Sequence, residues 1–121
     1  MSDVVEEVLA RWKTAFDSHR PDQMADLFTP DALFQGFGPS VVTGRDAVRS
    51  YYRTVADGRR ADVVVLHSYT IAADITGGFA DVSVTGASKP EVRMRMSLVV
   101  QHGDEGWKIR QYHVSRISAQ D

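Results

Sequence analysis

Beyond Gly58 this chain has almost no room for a helix. Four strand-forming runs, at about 62–73, 79–87, 91–102 and 107–117, follow one another, broken only by Gly77-Gly78, Lys89-Pro90 and the turn from Gly103 to Gly106. Connections this short join antiparallel neighbours, because a parallel crossover needs about a dozen residues or more. Strands of this length must also twist and curl.

The half before Gly58 has a different period. Val5, Val8, Leu9, Trp12 and Phe16 recur at helical spacing, and Asp3, Glu6 and Glu7 sit where a helix dipole favours acids. Pro21 suits the first turn of a short second helix, with Met24, Leu27 and Phe28 on its buried face, and Thr29-Pro30 is expected to stop it. Ala32 to Phe34 is a short extended piece leading into the loop Gly36-Phe-Gly-Pro39. Thr43 reads as the N-cap of a third helix carrying Val48, Tyr51, Tyr52 and Val55, with Gly58 placed to end it. Three helices followed by long antiparallel strands predict an α+β domain over 1–121, its curved sheet wrapped on the helices as a cone.

Several function classes fall away. The chain has no cysteine, so thiolate ligands and nucleophiles are unavailable. A net charge of -2 with dispersed basic residues lacks the concentrated footprint that nucleic acid requires. No apolar run approaches the ~20 residues that span a bilayer, and the acidic N-terminus lacks a signal-peptide pattern. The expectation is a cytoplasmic protein without a membrane partner. No glycine-rich phosphate loop follows a strand, and no compact histidine or carboxylate spacing suggests a metal. Neither a cofactor nor a metal is expected.

In the last strand, strict alternation puts Trp107, Ile109, Gln111, His113 and Ser115 on one face. A face that turns from apolar to polar along its length suits the wall of a half-open ligand cavity. By the same count Tyr112 and Val114 face outward and suggest a covered convex side.

Particular residues carry a family resemblance: the Trp12 and Phe16 stripe, Met24-Ala-Asp-Leu-Phe-Thr-Pro-Asp-Ala32, Gly44-Arg-Asp-Ala-Val48, Tyr51-Tyr52, Gly106-Trp-Lys-Ile109 and Tyr112-His-Val-Ser115. In their order and spacing the chain resembles the nuclear transport factor 2-like superfamily, in its SnoaL-like and calcium/calmodulin-dependent kinase II association-domain branch. The resemblance implies the cystatin-like cone and a homodimer packed through its convex sheet face. It does not imply one activity, because the fold hosts isomerases, cyclases, dehydratases and structural hubs.

Steroid isomerases of this fold use a helix tyrosine, a loop aspartate as base and a strand aspartate. At the matching positions this chain has Trp12, Gly36 and a strand, Val92 to Gln101, without a carboxylate. Tyr52 matches a supporting tyrosine of that family. Glycine cannot abstract a proton, so steroid isomerase chemistry is excluded.

Histidine is the natural alternative near neutral pH. His113 is the candidate catalytic acid or base, with His67 as a second pocket histidine. Trp12, Phe16, Phe34, Tyr52 and Tyr69 are expected to line the cavity, and Gln111 and Ser115 to orient its contents. The association domains hold pocket arginines, for which Arg95 is the nearest counterpart, and an arginine fork suits a carboxylate. The plainer reading buries Met94 and Met96 and leaves Arg93 and Arg95 on the opposite surface. Two functions stay open: a pocket for a small, partly hydrophobic metabolite, with or without cofactor-independent acid–base catalysis, and a non-catalytic dimeric association or ligand-sensing module.

Overall fold

The computed structural model describes residues 3–117. Helix α1, Val4–Asp17, buries Val5, Val8, Leu9, Trp12, Ala15 and Phe16, the stripe expected from the spacing. Asp3 caps it: Oδ1 accepts from the amides of Val5 at 2.8 Å and Glu6 at 3.3 Å, and Oδ2 accepts from the Ser68 hydroxyl. The Ser68 hydrogen bond, more than the cap amides, holds this carboxyl below its ordinary 3.8. Asp3→Ala is expected to cost about 1 kcal/mol at neutral pH. Because the folded carboxyl is the stronger acid, its contribution is complete above pH ~4 and fades as pH falls through the depressed value. Urea unfolding of both proteins at neutral and acid pH checks this, and the gap between them should narrow in acid.

Helix α2, Pro21–Ala25, is shorter than the pattern suggested. Phe28 already begins strand β1, Phe28–Gln35, so Leu27 and Phe28 lie beyond the helix. Thr29-Pro30 falls in a register irregularity of β1, between the pairs Phe28–Ile109 and Leu33–Gln111, where a proline can be tolerated. After β2, Val42–Thr43, helix α3, Arg45–Arg53, starts from Gly44 at φ 93°, and Thr43 makes no cap. It ends five residues before Gly58, which instead supplies a φ of 92° just before the sheet resumes.

The remaining strands are β3, Arg59–Ala72, β4, Ile75–Gly86, β5, Val92–Gly103, and β6, Gly106–Arg116. They form an antiparallel meander, and β1 adds to β6 in parallel, giving the sheet order β2-β1-β6-β5-β4-β3. Gly77 and Gly78 lie inside β4; the chain reverses at Asp74. A Cβ on Gly77 would come within 2.7 Å of the Tyr69 ring, and one on Gly78 within 2.7 Å of the His67 carbonyl oxygen. These glycines permit close approach within the sheet and make no turn.

The core lies between the helices and the concave sheet face. Phe34 is its aromatic hub, stacked on Tyr112 at 4.7 Å and edge-on to Phe28, Tyr51 and Tyr52. The end of α1 is tied to the start of β3 at Ala61: Asp17 accepts its amide at 2.8 Å, and Lys13 donates to its carbonyl at 2.5 Å. Among the described residues, no helix is long and apolar enough to cross a membrane.

Candidate functional site

Two bulges decide what faces the cone interior. In β6 the pairing steps from Val100–Ile109 to Val99–Gln111, leaving Arg110 as an extra residue. One extra residue reverses the phase of every side chain that follows. Tyr112 and Val114 therefore turn inward, 3% and 4% exposed, while Gln111, His113 and Ser115 turn out. In β3 the pairing steps from Val65–Ala80 to His67–Phe79 around Leu66. Val63 and Val65 stay on the inner face, but His67 and Tyr69 move to the outer one.

Five of the expected site residues are thereby displaced. His113, His67, Tyr69, Gln111 and Ser115 lie on the convex face. Arg95 joins them there, its Nε donating to Asp81 at 2.8 Å, as the plainer reading had it. The expectation of an apolar outer pair at Tyr112 and Val114 fails for the same reason.

The interior holds a half-open cavity of about 370 Å³, within the range of small-molecule sites. Trp12, Phe16 and Tyr52 line it, joined by Tyr112, Met94 and Val114 from the sheet. Phe34 lies one layer back, behind Tyr112 and Tyr52. Exposed Phe37, Thr54 and Lys89 mark the mouth, and Val92 sits beside it. Trp12 stacks on Phe16 at 5.1 Å, so a flat apolar surface forms one wall.

One polar chain enters this apolar space. Trp12 Nε1–H donates to the Tyr52 hydroxyl at 3.1 Å, and the Tyr52 and Tyr112 hydroxyls interact with each other. Burial pushes both phenols well above their ordinary 10.0, so they remain protonated donors at any physiological pH. No histidine and no carboxylate lines the cavity among the described residues. What the arrangement can do chemically is enclose an apolar body and present phenolic hydroxyls to a polar group carried on it.

The loop after β1 shows why no base stands there. The space a Cβ on Gly36 would occupy is filled by the Tyr51 ring, whose hydroxyl accepts from the Phe37 amide at 3.3 Å. Gly36→Asp is therefore expected to destabilise the fold by about 1–3 kcal/mol, the usual cost of overpacking. In a denaturant series, Tyr51→Ala should suppress most of that loss, because the two changes share one space.

Sequence reasoning missed Arg59, Lys89, Met94, Val114 and the inward Tyr112. The inner alternation Arg59, Ala61, Val63, read backwards from buried Ala61, was the available signal for Arg59. The apolar pair Tyr112 and Val114 was the signal for the shifted phase in β6.

A family model described as the SnoaL-like domain matches residues 5–120. No curated protein matches the sequence. Among solved structures, a ketosteroid isomerase-like protein from Erwinia carotovora atroseptica superposes with a TM-score of 0.81 at 18% identity, covering 95% of this chain and 95% of that one. A Xanthomonas campestris protein assigned as a calcium/calmodulin dependent protein kinase II association domain gives 0.80 at 20% identity, covering 95% and 86%. A cystatin-like domain from Nostoc punctiforme gives 0.82 at 19% identity, covering 98% and 82%. At these identities the likeness is one of fold.

Proposed function

The chain belongs to the SnoaL-like domain family, and on that premise we propose that its cone interior binds a small, partly hydrophobic metabolite. The observation that carries this is the cavity itself: aromatic walls, one buried polar cluster in which the Tyr52 hydroxyl joins Trp12 and Tyr112, and a mouth open to solvent. Proton abstraction needs a base within hydrogen-bond reach of the substrate, and among the described residues the lining offers neither a histidine nor a carboxylate. Binding or sensing is favoured over acid–base turnover.

The test uses Trp12 as reporter. In a Trp107→Phe protein it is the only tryptophan, and Trp107 stands away from the cavity against His102. Titration with phenylpropionamide should change its emission saturably at one equivalent per chain. A linear, unsaturable response to this amide and to phenylpropionate alike would remove the binding reading.

The dimer belongs to the same proposal, on grounds other than Tyr112 and Val114. The convex face exposes Val64 at 60%, Tyr69 at 51% and Phe79 at 42%, around the Arg95–Asp81 pair. A contiguous apolar patch with a polar pair inside it suits a self-complementary sheet contact. Light scattering should give twice the chain mass for the wild type and a monomer for Phe79→Asp. A monomeric wild type would refute it.

A further inference from the structure

Resting on that reading of the cone interior as a ligand cavity, we propose that its ligand carries a carboxylate, seated at the mouth by Arg59 and Lys89. Arg59 is only 7% exposed and lines the cavity. Among the described residues no carboxylate pairs with it. The nearby Asp17 is taken by Lys13 and the Ala61 amide. A buried charge without a counter-ion is costly and is normally paired.

The partners Arg59 does have are backbone carbonyls. Nη1 donates to Gly86 at 2.9 Å and Lys89 at 3.4 Å, and Nη2 donates to Pro90 at 3.1 Å. That leaves Nε–H and one Nη2 hydrogen without a protein acceptor among the described residues. Two adjacent guanidinium N–H groups form the fork that a carboxylate fits.

The same bonds fix the second cation. The turn from β4 to β5 holds Ala87 at φ 58° and Ser88 at φ 54°, conformations that side-chain-bearing residues seldom adopt. Arg59 grips this turn on both sides of that pair, and the turn carries Lys89 to the cavity mouth. Strain held at a ligand entrance is typical of functional backbone. The cavity thus has an aromatic interior, two cations toward its mouth and, among the described residues, no lining acid. An apolar body with an anionic head matches both ends.

The experiment compares phenylpropionate with phenylpropionamide, which differ in charge and scarcely in shape. Affinities are read from Trp12 emission in the Trp107→Phe protein. The carboxylate should bind about tenfold or more tightly than the amide. Lys89→Glu should bring that ratio close to unity. Arg59→Lys, which keeps the charge but loses the fork, should reduce it as well, and circular dichroism of each variant confirms that it folds. Equal affinities in the wild type would overturn the anionic head while leaving the cavity reading intact. A preference that survives both substitutions would overturn the assignment to these residues. Binding of neither probe would remove the underlying reading itself.

Discussion

Tryptophan in place of Val92 is expected to weaken ligand binding about 100-fold while the protein stays folded. Val92 lines the cavity beside its mouth, half-buried, opposite Val84 on the neighbouring strand. An indole there would extend into space that the native chain leaves empty. A ligand would then have to overpack a filled site, at ~3 kcal/mol, which lowers affinity about 100-fold. Stability should hold or rise slightly, because cavity filling commonly adds about 0.5–2 kcal/mol. Calorimetric titration with phenylpropionate, paired with a thermal melt, reads both quantities. Unchanged affinity in a folded Val92→Trp protein would place the binding site elsewhere.

Phe34→Ala should have the largest effect on the fold. The ring is 1% exposed and contacts four other aromatics, stacking on Tyr112 at 4.7 Å. Truncating a phenylalanine so placed costs about 3–5 kcal/mol, much of the stability of an ordinary domain. The consequence reaches the site, because Tyr112 and Tyr52 lose the surface that fixes their rings. Urea unfolding should show a lower midpoint, and the surviving folded fraction should bind phenylpropionamide more weakly. A loss below ~1 kcal/mol would mean that the aromatic cluster is not the keystone described.

The architecture was legible because it rests on long periodic signals. The α1 stripe and the short breaks between the last strands are repeated many times over and tolerate local error. The faces of individual residues near the strand ends were not legible, for one physical reason. Alternation carries a phase, and one inserted residue reverses it. Arg110 and Leu66 each did so, and they carried His113, Gln111, Ser115, His67 and Tyr69 to the convex side. Arg95, on a strand without such a slip, was correctly placed by the plain alternation of Met94 and Met96.

The helix ends show a related limit. Thr43 has the chemistry of an N-cap, but the preceding strand pairs it with Leu33, and the cap position passes to Gly44. Gly77-Gly78 looks like a turn in one dimension. In three, the pair makes room for Tyr69 on one face and for Val5 on the other. Tertiary packing won each time against a correct local propensity. Alternation back from Ala61 could have put Arg59 on the inner face, but not its significance: that lies in the carboxylate it lacks, and a missing partner has no sequence signature.

The site is thus claimed for the concave interior, and the polar row at the end of the last strand is excluded from it. Met94 lines the cavity while His113 stands on the opposite face of the sheet. The most direct test is one NMR titration of isotope-labelled protein with phenylpropionate, following methionine methyl and histidine ring resonances together. The Met94 methyl should shift saturably while the His113 and His67 rings stay fixed. Saturable movement of His113 with Met94 unmoved would contradict the account.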